Sequence, residues 1–244
     1  MKQYFCNPLN FSYRYQFNQK ENGFSLNREA ADPSMIFFHG KYYLFPSMTK
    51  GFLVSDDMVS WKSYPLKDVP VYDYALDVRV IGEYLYFCAS RRGQACDFYR
   101  TKAPESGNFE RIPGTFDFWD PSLFCDDDGR LYFYWGCSNM TPIWGVELNP
   151  DTMERLEEPV VLIENHQKEQ GYERTGEDHH YDPNGSHIVA LLKAQMAQNL
   201  GCSPEEITDI TPAIEATPEQ YSPMLKAALS DTPYIEGAWM TRYN

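Results

Sequence analysis

Short apolar stretches recur through the first two thirds of the chain, and most alternate or run apolar for about five residues between polar turns. Ser34-Met35-Ile36-Phe37-Phe38 is followed by His39-Gly40 and then Lys41-Tyr42-Tyr43-Leu44-Phe45. The same grammar returns as Val78-Arg79-Val80-Ile81, Gly82-Glu83, Tyr84-Leu85-Tyr86-Phe87. It returns again as Ser122-Leu123-Phe124, Asp126-Asp127-Asp128-Gly129, Leu131-Tyr132-Phe133-Tyr134. Runs of this length, bounded by Gly and Asp and rich in aromatic and β-branched residues, predict hairpins. The acids Asp32, Asp77 and Asp120 precede or open these stretches, spaced 45 and 43 residues apart. A period of that size predicts one four-stranded unit repeated about an axis, an all-β propeller with blades over 32–62, 76–112 and 116–163. Further strands are expected at Gly51–Ser55, Asp97–Thr101, Phe109–Ile112 and Trp144–Leu148. Ahead of them, the alternation Phe11, Tyr13, Tyr15, Phe17 fits one half-buried strand.

The rhythm breaks over 164–233. There the spacing of Ile188, Leu191, Leu192, Met196 and Leu200 predicts a helix over His187–Leu200 with that face buried and Gly201 as its cap. Ser203-Pro204-Glu205-Glu206 and Thr217-Pro218-Glu219-Gln220 read as two more helix starts, the second strained by Pro223. The expected organisation is a single partial propeller domain over 1–244 carrying a helical insertion at 164–233. Residues 234–244 resume the strand pattern as the opening of a fourth repeat. Three repeats and one strand do not close a ring, so the chain is expected to belong to a longer protein or to be completed by other chains, with poor stability alone.

Composition narrows the function. Formal net charge is -14, which repels phosphates and so excludes nucleic acid and anionic membrane as partners. Aromatic residues make up 16% of the chain, suited both to strands and to sugar sites. The six cysteines show no CxxC spacing and are expected to be reduced and buried. Met1–Pro8 holds no long apolar run and no stretch reaches a membrane-spanning length, as expected of a cytoplasmic protein; a trimmed periplasmic or secreted one would read alike. Asp126-Asp127-Asp128 lacks the alternate ligand spacing of a calcium loop and reads as a hairpin turn. Glu177-Asp178-His179-His180, with His166 and His187 nearby, lacks zinc-site spacing and reads as a solvated loop. Tyr181-Asp182-Pro183-Asn184-Gly185 reads as a turn, while Tyr172–Glu177 is a candidate substrate contact. No metal and no cofactor are expected.

Ala31-Asp32-Pro33-Ser34, Trp119-Asp120-Pro121-Ser122 and Ile235-Glu236-Gly237, in that order, resemble glycoside hydrolase family 43. The resemblance covers nearly all of 24–163 and 234–244. It implies a five-bladed propeller, here incomplete, that inverts the anomeric centre of arabinose- or xylose-containing glycans, as in xylan degradation. It implies Asp32 as the general base that activates water and Glu236 as the general acid. Asp120 would be the third carboxylate, orienting the acid and adjusting its proton affinity. An oligosaccharide or plant polysaccharide is the implied partner. Cleaving an acetal needs a proton donor on one side and an activated water on the other, which accounts for paired carboxyls. The family's Ala-Pro-Asp is here Ala75-Leu76-Asp77, and Asp77 is a candidate sugar contact. Phe118, two residues before Asp120, is expected to share its face and offer a sugar platform, while Trp119 and Trp239 are expected to pack between blades. The competing functions are a carbohydrate-binding propeller without catalysis and a phosphorylase, for which no basic phosphate pocket is evident.

Overall fold

The computed structural model describes residues 16–20, 23–27, 31–48, 50–91, 93–113, 116–164, 187–229 and 234–242. It opens with a hairpin of β1 (Gln16–Lys20) and β2 (Gly23–Asn27). Phe17 lies in β1, whereas the rest of the expected strand, 11–15, lies outside the described residues. Three four-stranded sheets follow, each laid down in chain order. The first holds β3 (Ser34–Phe38), β4 (Lys41–Phe45), β5 (Gly51–Ser55) and β6 (Lys62–Pro65). The second holds β7 (Asp77–Ile81), β8 (Tyr84–Cys88), β9 (Phe98–Thr101) and β10 (Glu110–Ile112). In the third, β11 (Ser122–Cys125) and β12 (Leu131–Trp135) are followed by the two-residue β13 (Cys137–Ser138), outside the sheet. The sheet then continues with β14 (Ile143–Leu148) and β15 (Val160–Ile163). These antiparallel meanders are propeller blades, at the places the repeat marks out.

The turns follow the local chemistry. His39 and Gly40 adopt left-handed backbone, φ 49° and 81°, between β3 and β4. The β11–β12 turn closes with Asp126 N–H donating to the Arg130 carbonyl at 2.9 Å and Gly129 N–H to the Asp126 carbonyl at 3.0 Å. Gly129, at φ 85°, takes the position a side chain would strain. The triple Asp is therefore a hairpin turn.

Period-two alternation decides the packing. On β8, Leu85 and Phe87 face the first blade and join Phe45, Phe52, Val54 and Val78 in one buried cluster. Tyr86 and Cys88 face the other way, into a second cluster with Phe98, Leu123, Leu131, Phe133 and Leu148. On β9, Tyr99 belongs to the first cluster and Phe98 to the second. The middle blade is thus apolar on both faces, as a sheet between two sheets must be. The inner strands β3, β7 and β11 contact one another in that order.

The first two blades are also joined at the outside. Lys67 forms a parallel bridge with Asn108, and its N–H donates to the Gly107 carbonyl at 2.8 Å. Gly107 sits at φ 73°, and a Cβ there would meet the Pro65 carbonyl oxygen at 2.5 Å. Beside it, Glu105 accepts from Lys41 Nζ at 2.7 Å and from the Tyr43 hydroxyl at 3.1 Å. The Lys41 hydrogen bond holds the Glu105 carboxyl below its ordinary pKa.

By contacts the chain divides into two compact units, Met1–Gly136 with Ile143–Leu162 and Glu236–Asn244, and Cys137–Pro142 with Ile163–Ile235. The described helices of the second are α1 (His187–Leu200), α2 (Thr211–Glu215) and α3 (Ser222–Leu229). The buried residues of α1 are Val189 and Ala197, while Leu191 and Leu200, expected inside, are 55% and 68% exposed. Five consecutive apolar residues, Ile188 to Leu192, fit more than one face, and packing chose another. Ser203–Glu206 forms only a 3-10 turn, with Ser203 N–H donating to the Glu206 carboxylate at 2.7 Å. Pro223 causes no break, because α3 begins at Ser222 and places it in the first turn, where its missing N–H is not needed. Among the described residues no helix is long and apolar enough to cross a membrane.

Gly107→Ala should lower stability by about 2 kcal/mol in urea unfolding, since the new methyl meets backbone at a left-handed position. Glu105→Gln should lower the melting temperature at neutral pH. Because the folded pKa of Glu105 is depressed, its stabilisation is present above the unfolded value of 4.5 and fades as pH falls through the folded one. The difference between variant and parent should therefore shrink as pH falls below 4.5.

Candidate active site

The acid-bearing loops enter the blades in one recurring conformation. Asp32, Ala75 and Asp120 all have left-handed backbone, φ 41°, 51° and 47°, and each stands two residues before an inner strand. Ser47 N–H donates to the Ala31 carbonyl at 3.1 Å and Gly136 N–H to the Trp119 carbonyl at 2.8 Å, fixing the first and third of these loops against their second strands. Ala75 N–H donates to Ser47 Oγ at 2.9 Å, fixing the second loop on the first blade. Asp tolerates left-handed backbone better than most residues, so an acid at this position costs the fold little.

This register corrects the sequence alignment of the repeats. The second-blade counterpart of Asp32 and Asp120 is Ala75. Asp77 corresponds to Ser34 and Ser122, the first residues of β3 and β11. Asp77 is 2% exposed. One of its oxygens accepts from Ser34 Oγ at 3.4 Å. The other accepts from Leu123 N–H at 2.7 Å and from Arg79 Nε at 3.0 Å. Burial pushes its pKa up, opposed by Arg79 and by the Leu123 and Ser34 hydrogen bonds. Proposed from sequence as a sugar contact, Asp77 instead spends its oxygens on three blades.

Asp32 and Asp120 do meet. With Ser34, Asp77 and the segment Gly237–Trp239, they line one hollow of about 130 Å³ at the mouths of the three inner strands. Asp120 is buried, while Asp32 and Glu236 are exposed. Carboxylate oxygens of Asp120 and Glu236 lie within 4.8 Å of each other. Glu236 ends the short strand β16 (Ile235–Glu236), and Gly237 then turns the chain at φ 66°.

The aromatic assignments fail for one shared reason. Phe118 is 1% exposed and packs against Phe98, Phe116 and Phe133, with ring centroids 4.7 to 5.6 Å away. It is core and offers no platform. Trp239, expected between blades, is 59% exposed, with the Arg79 guanidinium carbon 3.7 Å from its ring centroid. Trp119 is half-buried. In-and-out alternation holds only within a strand. Phe118 lies before β11, separated from it by the left-handed Asp120, and Trp239 lies beyond Gly237. The one sequence signal for Trp239 was its closeness to Glu236. Residues Tyr172–Glu177, Glu177–His180, His166 and Tyr181–Gly185 lie outside the described residues. A larger hollow of about 740 Å³ lies between β10 and the 151–155 loop, lined by Arg100, Arg111, Phe116 and Arg155, but none of the site acids borders it.

Four-stranded blades with carboxylates gathered at their inner-strand mouths define a propeller of the acid-site type. The chain belongs to the glycosyl hydrolases family 43, whose model matches residues 25–190. No curated protein matches it. Similar solved structures include a bifunctional GH43-CE protein of Bacteroides eggerthii, 25% identical, with a TM-score of 0.47, covering 56% of this chain and 20% of that one. An endo-arabinanase from Bacillus licheniformis is 21% identical, with a TM-score of 0.46 and coverage of 54% and 55%. An exo-1,5-alpha-L-arabinanase from a bovine ruminal metagenomic library is 23% identical, with a TM-score of 0.45 and coverage of 63% and 58%. The chain thus spans between a fifth and just over half of the length of these structures.

Phe118→Ala should destabilise the protein by about 3–5 kcal/mol in denaturant unfolding, the cost of emptying a closed aromatic core.

Proposed function

We propose that this chain carries the acid site of an inverting glycoside hydrolase acting on arabinose- or xylose-containing glycans. The observation that carries the reading is the gathering of carboxylates from separate blades. Asp32 and Asp120 border one hollow, and Glu236 reaches within 4.8 Å of Asp120. Family membership supports the reaction class, and two similar structures are named as arabinanases.

Each residue then has a task. Glu236, exposed at the rim, protonates the glycosidic oxygen as the bond to the anomeric carbon breaks. Asp32, also open to solvent, takes a proton from the water that attacks the opposite face of the sugar. Asp120, buried beside Glu236, orients the acid. Water adds its oxygen to the anomeric carbon and the leaving sugar departs with the proton from Glu236. Bulk solvent then returns Asp32 and Glu236 to their starting protonation states. Trp239, open on the side away from Arg79, offers an aromatic face on which a pentose ring can stack.

Glu236→Gln should lower kcat on unactivated arabino- or xylo-oligosaccharides by roughly 100- to 10,000-fold, as expected for loss of a general acid. Aryl glycosides with good leaving groups, which need no proton, should lose far less. Equal losses on both substrates would remove the acid role from Glu236. Glycan binding without any release of sugar by the parent protein would replace hydrolysis by recognition alone.

A further inference from the structure

Asp77 and Arg79 sit on β7 with their side chains turned toward the third blade, and neither belongs to the acid set. Their side chains are only 2% and 17% exposed, and they are joined at 3.0 Å. An ion pair this far from water is expensive to bury, so its surroundings must compensate with well-placed hydrogen bonds. Those bonds go to a particular set of places. Asp77 accepts from Ser34, two residues after Asp32, and from the backbone of Leu123, three residues after Asp120. Ser34 Oγ also accepts from Val78 N–H at 3.2 Å, tying β3 to β7 a second time. Arg79 Nη2 donates to Ser122 Oγ at 3.3 Å, two residues after Asp120. The remaining face of the guanidinium lies on Trp239, 3.7 Å from its centroid and three residues after Glu236.

We propose that the Asp77–Arg79 pair is the positioning device of the acid site, holding in common register the segments that carry Asp32, Asp120 and Glu236. The inference rests on the hydrolase reading for its catalytic consequence, though not for its structural content. Neither residue touches substrate in this account; both act through other residues, Asp77 through Ser34 and the Leu123 backbone, Arg79 through Ser122 and Trp239. Apolar packing between blades leaves the inner strands free to slide by fractions of an ångström, because dispersion is not directional. A carboxylate and a guanidinium with fixed donor directions remove that freedom. The pair must be on the middle blade, since only from there can one side chain reach both neighbours.

The test uses Asp77→Asn and Arg79→Gln in the full chain, with Arg79→Lys, which keeps the charge against Asp77 without the planar stack, as the milder variant should either fail to fold. Near-UV circular dichroism at the assay temperature fixes the folded fraction. Acrylamide quenching of Trp239, taken as the difference from each protein carrying Trp239→Phe, reads the placement of its segment without any reference to activity. Its quenching constant should rise roughly two-fold when the guanidinium no longer covers the ring. Per folded molecule, kcat should fall roughly 10- to 100-fold with KM within about three-fold, the pattern of misplaced reacting groups. Unchanged quenching in both variants would overturn the inference whether or not the parent is active. Changed quenching with unchanged kcat in an active protein would reduce the pair to a structural tie and overturn it as well. A rise in KM alone for Asp77→Asn would make Asp77 a substrate contact instead. A parent that cleaves no such glycan, with quenching changed as expected, would leave the pair as the holder of the segment and remove only the hydrolase reading.

Discussion

The middle blade must satisfy two neighbours at once, and that constraint organises the rest. Leu85 and Phe87 point one way from β8 while Tyr86 and Cys88 point the other, so a single strand contributes to both aromatic cores. Each core is closed by a four-stranded sheet on its far side. The blades therefore hold their inner strands side by side, and only because they do so can loops 88 residues apart deliver Asp32 and Asp120 to one hollow. Hydrophobic burial sets the approximate approach of the blades. The directional contacts of Asp77, Arg79, Ser34 and Ser122 then set their register.

The two aspartates of the site depend on backbone that is not strand, while Glu236 closes the short strand β16. Asp32 and Asp120 occupy left-handed conformation just ahead of β3 and β11, and Glu236 stands just ahead of a left-handed Gly237. Placing the two aspartates at such points takes them out of the pleat and into shared space. Within a strand the same residues would have had to choose between a core face and its opposite. The device also explains why the second blade can carry Ala75 at the equivalent place without disturbing the fold. The backbone conformation recurs there, and the chemistry is omitted.

Much of this could be read from the residues in order. The hairpins at His39-Gly40 and Asp126–Gly129, most of the strands and the helix at His187–Leu200 follow from local pattern and turn chemistry, which need no knowledge of distant contacts. Asp32, Asp120 and Glu236 could be picked out by motif. What the sequence hid was the register between blades. Asp77 matched Asp32 and Asp120 in type and approximate spacing, yet it lies two positions further along, and only the recurring φ angles show this. Phe118 and Trp239 were misjudged because alternation was extended through residues whose backbone interrupts it. On α1, several apolar side chains offered more than one face, and Val189 and Ala197 rather than Leu191 and Leu200 are the buried ones.

The outermost strand of the third blade has a consequence for the chain in solution. Val160, Val161, Leu162 and Ile163 are each about half exposed, on a strand that among the described residues is paired on one side only. Such a bare, β-prone tetrapeptide is a template for sticking to a like segment of another molecule. Its flanks carry Glu157, Glu158 and Pro159 on one side and Glu164 on the other. Like charges and a proline set against each other across any fibrillar stack would act as gatekeepers, so the four residues beside this edge oppose the self-association that its apolar run favours.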